Sequence, residues 1–405
     1  MKENIKDWTI LIYANGNNEL EPEIWQSKID AEKIGSSENV NVVMQIGRES
    51  REPVKIIRPK DSIPSLDETW TGVRRYHILK NKSELIQKLG KANMADPHVL
   101  YDFITWGVKS YPAKKYMLIL SGHGGSFTAA LLDLSRDAPY AMGVTEMCKV
   151  INMIKADTGC NIDVLVLDIC NMNSIEILYE LGKNKINTVK SILTYINNGP
   201  ISGMPYDKLI HTVEKNNLCD TDTTLKKIID NIELDLIGVK LDNGKLKLVK
   251  KIVSNMAYLC LTDEQYKRMN TYDLLDSDNK SNLYNYFLKL NKELFSMIIH
   301  YKTITTNVNS LINLTNLATY GVLDDKHISM YYKLSFAKNN YWIYILGNKG
   351  INDTFDVTTG TDLLPSRLED RGLMNLIRTM NPSFNEEEVS NVLKNLYEYK
   401  KWGQL

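Results

Sequence analysis

The chain has 405 residues with 49 Lys+Arg against 49 Asp+Glu, so no global field favours nucleic acid or an anionic membrane surface. Hydrophobic content of 43% with 24% charged residues is that of a soluble globular protein with a full core and, as a soft prior, about two structural units. Five scattered cysteines (Cys148, Cys160, Cys170, Cys219 and Cys260) form no C-x-x-C pair and have no His cluster nearby, which argues against a structural zinc site and against a disulfide framework.

The first half alternates strand and helix signals. Trp8 to Ala14 (WTILIYA) is an apolar, β-prone run, followed by a turn at Asn15 to Asn18. Pro22 suits the first turn of a helix carrying Ile24, Trp25 and Ile29. Val40 to Ile46 predicts a second strand, and Val54 to Ile57 with Val73 to Leu79 predict a shorter antiparallel pair. Asp96-Pro97 is an N-cap followed by proline at the first helical position, opening a helix with Leu100, Phe103 and Ile104 on one face.

Tyr116 to Leu120 (YMLIL) is a continuous apolar strand that runs into Ser121, Gly122 and His123. A helix capped by Thr145 follows, with Met147, Val150, Ile151 and Ile154 on one face. Asp163 to Leu167 (DVLVL) is a second such strand, running into Asp168, Ile169 and Cys170. A helix ending at Gly182 and a strand over Lys190 to Ile196 come next. Uninterrupted apolar runs are what strands buried on both faces require. The alternation predicts an α/β protein with a mainly parallel sheet between two helical layers.

Past about residue 207 the pattern changes. Residues 222 to 310 read as mostly helical, Tyr331 to Phe336 and Trp342 to Leu346 as two strands, and the last forty residues as helices. These signals divide the chain into a core over residues 1–215 and a C-terminal region over 216–405, whose strands pack on or extend the core sheet. The opening Met1 to Trp8 lacks the apolar stretch of a signal peptide, and no run approaches a membrane span. A cytoplasmic protein is expected, or a secreted one if a leader has been removed.

Function in an open parallel sheet gathers at the carboxyl ends of the strands. His123 and Cys170 stand at two such ends and can face each other as base and nucleophile. Each has a plainer explanation, a buried structural thiol and a histidine held in a glycine turn. A helix start after Cys170 would offer amides that lower the thiol pKa. Glycines on both sides of His123 permit close approach, so the Gly124 and Cys170 N–H groups could form an oxyanion hole. Residues 122–127 (GHGGSF) lack the third glycine of a dinucleotide fingerprint and the Gly-Lys-Ser/Thr of a P-loop. Both nucleotide readings fail. The 47 residues between His123 and Cys170 are close to the roughly 50 that separate the same pair in caspases, although the caspase pentapeptide around cysteine is absent.

A strand ending His-Gly-Gly, followed by one ending Asp-x-Cys-x-Met, resembles the clostripain-like cysteine peptidases, relatives of caspases and gingipains. Further matching segments are Trp8 to Leu20 (WTILIYANGNNEL), Asn93 to Phe103 (NMADPHVLYDF), Gly203 to Tyr206 (GMPY) and Tyr272 to Leu274 (YDL). The resemblance implies a caspase-like α/β/α sandwich and a His123/Cys170 dyad. It also implies cleavage after a basic P1 residue, with Asp168 matching the S1 carboxylate; a strand-end aspartate capping a turn is the plainer alternative. Relatives often carry an acidic residue after the next strand, where this chain has Asn197 and Asn198. Relatives are often self-cleaved between the His and Cys strands into chains that stay associated, and Arg136 is the matching candidate here. Some relatives depend on calcium, but the acidic run Asp273 to Asp278 has no EF-hand register.

The expectation is therefore a cysteine endopeptidase acting on peptide or protein substrates. It is a monomer or a self-cleaved pair of chains, with no nucleic-acid or membrane partner. No cofactor or metal is needed for the chemistry, and calcium is left open. The alternative is a non-catalytic caspase-like scaffold that binds peptides or a partner.

Overall fold

The computed structural model describes residues 5–61, 70–263, 282–305, 311–315, 323–355 and 363–402. Its centre is a nine-stranded sheet. β1 (Lys6–Gly16) pairs in parallel with β2 (Val40–Arg48) on one side and with β5 (Ala113–Gly122) on the other. β8 (Ile162–Ile169) follows β5, and β9 (Val189–Tyr195) follows β8, both also parallel. Antiparallel strands finish each side: β3 (Gly72–Leu79) and β4 (Lys82–Gly90) beyond β2, and β10 (Leu236–Lys240) and β11 (Ile298–Lys302) beyond β9.

Side chains of a strand alternate between faces, so a sheet covered on both sides needs apolar residues at nearly every position. β1 meets that demand: Leu11 and Tyr13 enter one hydrophobic cluster, and Ile10, Ile12 and Ala14 enter the other. The first cluster is closed by α3 (Pro97–Ser110), α4 (Val144–Thr158), α5 (Ile175–Gly182) and α8 (Asn243–Thr262). The second is closed by α1 (Glu21–Ile34), α6 (Tyr206–Lys215) and α7 (Thr221–Asn231). The Asp96 cap forms as its sequence implies, with Oδ1 accepting from His98 N at 2.8 Å; such a cap contributes about 1 kcal/mol.

A small second sheet, ordered β12-β7-β6, sits beside the main one. It joins β6 (Ala129–Asp133) and β7 (Tyr140–Gly143) to β12 (Ser366–Arg367) near the end of the chain. Beneath it, Leu132 and Leu134 share a third cluster with Ile57 of α2 (Arg51–Ile57), Leu373 and Ile377 of α12 (Asp370–Met380), and Leu396 of α13 (Glu386–Lys400). The C-terminal residues thus return to the first half of the fold. Two carboxylates of α5, both buried, hold the intervening segment: Glu176 accepts from Thr315 N and from the Tyr331 hydroxyl, both at 3.0 Å, and Glu180 accepts from Phe336 N at 3.0 Å.

Several elements differ from expectation. Val54 to Ile57 lies in α2, because Pro53 in the first turn suits a helix and Val54 and Ile57 share its buried side. Tyr331 to Phe336 and Trp342 to Leu346 are not strands. The first falls at the end of α10 (Asp325–Lys333), started by an Asp324 cap on His327 N at 2.9 Å, and the second is α11 (Trp342–Leu346). Burial of Tyr331 and Phe336 against α5, and of Trp342–Leu346 against α8, overrides the β propensity of their aromatic residues. The largely helical stretch, which also contains α9 (Asn282–Phe295), holds β10 and β11, five residues each and too short for periodicity to reveal. α4 is capped by Gly143 rather than Thr145.

Candidate active site

β1 connects outward to β2 while β5 lies on its other side, so the topological switch point falls between β1 and β5. The crevice at the carboxyl ends of such strands is where open α/β sheets bind ligands. A cleft of about 1150 Å³ opens there, and its lining includes His123, Gly124, Asp168, Cys170, Tyr195 and Gly199. That volume exceeds the usual small-molecule pocket and suits several residues of a peptide. Its lining also takes in residues of α10 and of the β12–α12 segment, among them Met330, Arg367 and Asn375. Ion pairs Lys326–Glu369 and Arg371–Asp324 tie these two elements together.

His123 follows β5, and its carbonyl accepts from Leu131 N at 2.8 Å, which fixes the loop on β6. Its Nε2 makes a short contact with Glu19 Oε1. Glu19 stands just past β1 and is fully buried, a residue that sequence reasoning gave no role. The available signal was positional: β1 lies beside β5, so the residues after Gly16 must abut those after Gly122.

Cys170 follows β8, half-buried, with its thiol 3.8 Å from the Gly199 carbonyl oxygen. α5 begins only at Ile175, capped by Ser174, so the helix terminus is five residues away and its amides do not lower the thiol pKa as expected. Burial pushes the Cys170 thiol up instead; the Gly199 contact opposes this and the Asp168 charge adds to it. Gly124 packs directly on the cysteine turn. A Cβ there would lie 2.3 Å from the Cys170 carbonyl oxygen, so only glycine fits. Bonds from Leu131 N to His123 O and from Gly125 N to Ala129 O flank Gly124. This pattern turns the Gly124 N–H away from β6.

Asp168 is 4% exposed and takes four donors. Tyr195 Oη at 2.5 Å and Met204 N at 3.1 Å bond to Oδ1; Ser121 Oγ and Tyr206 Oη, both at 2.9 Å, bond to Oδ2. Burial raises its pKa, and the hydroxyl and amide donors pull against that rise. The three hydroxyl partners were not legible in the sequence, because Tyr195 and Tyr206 belong to other elements. Arg136 is exposed in the β6–β7 connection and is not among the residues lining the cleft. Its carbonyl oxygen accepts from Trp402 Nε1 at 2.8 Å. Among the described residues no group of three or more His, Cys, Asp or Glu could hold a metal ion, and Asp273 to Asp278 and Tyr272 to Leu274 lie outside those residues. No helix among the described residues is long and apolar enough to cross a membrane.

Three solved structures share this architecture. A C11 cysteine protease of Bacteroides thetaiotaomicron, described as secreted and solved with an irreversible peptide inhibitor, superposes with TM-score 0.58 at 13% identity, covering 83% of this chain and 99% of that one. An inactive zymogen C11 protease of Parabacteroides distasonis gives 0.56 at 13% identity, covering 84% and 100%. A B. thetaiotaomicron structure named iotapain gives 0.56 at 11%, covering 83% and 99%. These likenesses establish the caspase-like fold. Clostripain of Hathewaya histolytica is 25% identical over 232 residues, which are 51% of this chain and 42% of that protein, so the chain matches less than half of its relative's length. The profile of the clostripain family, peptidase C11, matches residues 13–371. On that span, which holds Glu19 and the cleft residues His123, Gly124, Asp168, Cys170, Tyr195 and Gly199, the chain belongs to the clostripain family.

Proposed function

We propose that the protein is a cysteine endopeptidase that cleaves peptide bonds after Arg or Lys. The observation that carries the proposal is the convergence of His123, Cys170 and the buried Asp168 on one cleft. His123 takes the Cys170 proton as Sγ attacks the scissile carbonyl carbon. The Gly124 and Cys170 N–H groups receive the resulting oxyanion. The C–N bond then breaks, and the imidazolium gives its proton to the leaving amine. Water, deprotonated by His123, attacks the thioester, releases the acid and restores the thiol. Burial disfavours the free thiolate, so deprotonation of Cys170 depends on His123.

Asp168 supplies negative charge at the foot of the cleft for a P1 cation. Its four acceptor positions are already filled, so the cation meets that charge through the lone pairs of the surrounding hydroxyls. With Asn197 and Asn198 where relatives carry acid, Asp168 is left to set the basic preference. Self-cleavage after Arg136 belongs to the same proposal, as does action in the cytoplasm, which suits five free thiols. Cell fractionation distinguishes this from secretion.

The test is hydrolysis of peptides that differ only at P1. The parent should cut Arg and Lys substrates, while Cys170→Ala and His123→Ala should each be inactive with unchanged circular dichroism. Full activity in Cys170→Ala would remove the nucleophile assignment. Binding without turnover in the parent would identify a scaffold instead.

A further inference from the structure

We propose that Glu19 is a third member of the site, a positioning residue that fixes the tautomer and orientation of His123. The inference rests on the His123/Cys170 assignment above and extends it. Glu19 Oε1 contacts His123 Nε2, and its Oε2 is buried with no hydrogen-bond partner among the described residues. Burying a carboxylate with an oxygen unsatisfied is costly. Packing alone gives no return for that cost, whereas the contact with His123 does.

The backbone that carries the carboxylate is anchored on both sides. Arg58 Nη1 donates to the Glu19 carbonyl at 3.0 Å, and the same guanidinium bonds both oxygens of Glu23. Before Glu19, Asn15 Nδ2 and Asn18 Nδ2 donate to the Leu132 carbonyl at 2.8 and 2.7 Å, and Asn17 Nδ2 donates to Asp133 Oδ2 at 2.7 Å. Asp133, fully buried, also takes Met94 N at 2.6 Å and Ser135 N at 2.8 Å. The turn after β1 is thereby riveted to β6, the strand on which the His123 loop also hangs. One rigid frame holds both partners.

The chemical consequence follows from the inventory of imidazole. A carboxylate is an acceptor, so it requires the proton of neutral His123 to sit on Nε2. Nδ1 is left with its lone pair, free to accept the Cys170 proton. When His123 takes that proton, the imidazolium forms against a carboxylate already in place, with no reorganisation at the moment of reaction. Glutamine in place of Glu19 can instead donate its amide to Nε2, stabilising the tautomer that has no lone pair on Nδ1.

Four measurements test the assignment. In the 15N spectrum of the histidine-labelled parent, with His123→Ala as the assignment control, His123 should appear as the Nε2–H tautomer. Glu19→Gln should lower kcat by about 100-fold or more, with KM and the thermal midpoint little changed, and Glu19→Asp should restore part of the loss. Iodoacetamide labelling of Cys170 at neutral pH should slow in Glu19→Gln. In a His123→Ala background, Glu19→Gln should cause no further slowing, since the residue acts through the imidazole. An Nδ1–H tautomer in the parent, or undiminished kcat in a folded Glu19→Gln, overturns the positioning role while leaving the dyad standing. An active His123→Ala removes the dyad itself. If Glu19→Gln does not fold, the tautomer of the parent still decides.

Discussion

The Tyr195 hydroxyl donates to Asp168 Oδ1 at 2.5 Å, joining the end of β9 to the end of β8 beneath the cleft. With Ser121, Met204 and Tyr206 it completes a shell in which a buried carboxylate is satisfied before any substrate arrives. A charge so held is screened little by solvent, and a cation that reaches the shell is stabilised without waiting for side chains to reorganise. Asp168→Ala should therefore weaken the basic P1 preference, by less than the roughly 2–5 kcal/mol lost when one partner of a directly bonded buried charge pair is removed, because hydroxyls stand between the cation and the carboxylate. Comparable kcat/KM for Arg and Leu peptides in the parent would sink this assignment.

The same burial sets a pH dependence. The Asp168 carboxyl titrates above the usual carboxylate range because desolvation disfavours its charged form. Below its pKa it is neutral, and a P1 cation then enters without a counter-charge. The Arg-over-Leu ratio of kcat/KM should fall as pH is lowered, beginning above the ordinary aspartate value of about 3.9. The limb should vanish in Asp168→Asn. A ratio that stays constant down to pH 4 in the parent would contradict it.

Much of the candidate site, as a set of residues lining one cleft, was legible because chemistry-bearing residues punctuate apolar strands. His123, Asp168 and Cys170 each stand within three residues of such a run, and a parallel sheet brings strand ends together whatever the intervening loops do. Glu19 was not legible in the same way: it follows a turn of three asparagines and a glycine, where a polar residue needs no explanation. Its meaning depends on β1 lying beside β5, a fact of topology. The helical signals held where caps and apolar spacing agreed, as in α3, and the strand signal failed at Tyr331 to Phe336, where the Tyr331 hydroxyl and Phe336 N bond to Glu176 and Glu180 of α5.

Burial of Cys170 predicts how its reactivity titrates. In His123→Ala the thiol loses its base and must ionise alone. Its labelling by iodoacetamide should rise only at pH values above the ordinary thiol range of about 8.5–9, because the environment disfavours the thiolate. In the parent, labelling should already be fast near neutrality. Identical pH profiles for the two proteins would show that His123 does not serve the thiol.

Gly124 gives a steric test. A Cβ at that position would meet the Cys170 carbonyl oxygen at 2.3 Å and Ile169 Cγ2 at 2.4 Å, and backbone there has no flexible end to yield. Gly124→Ala should displace the cysteine turn or the Gly124 N–H from the oxyanion position. Loss of one such donor costs about 100- to 1000-fold in kcat. KM should change less, since the cleft wall formed by α10 and α12 is untouched. Gly90→Ala, where a Cβ meets nothing within 4 Å although φ is +63°, is a control for glycine replacement remote from the cleft. Equal kcat in Gly124→Ala and the parent would remove this glycine from the site.

Arg136 offers the last test. It is exposed in the β6–β7 connection, the kind of polar loop where nicking concentrates, yet Trp402 Nε1 holds its carbonyl at 2.8 Å and the residue does not line the cleft. Cleavage after Arg136 therefore requires the loop to leave Trp402 and enter a cleft, its own or that of a second molecule. Weakening the Trp402 contact should speed this: Trp402→Phe keeps most of the apolar packing but lacks the indole N–H, and should accumulate two fragments sooner than the parent. The fragments should co-purify, because β5 and β8 pair across the break. Cys170→Ala and Arg136→Ala should each run as a single band on denaturing gels. A rate that rises with protein concentration marks cleavage between molecules, and one independent of concentration marks cleavage within one. Trp402→Phe and parent chains that both stay whole at full peptidase activity would show that Arg136 is an ordinary surface residue.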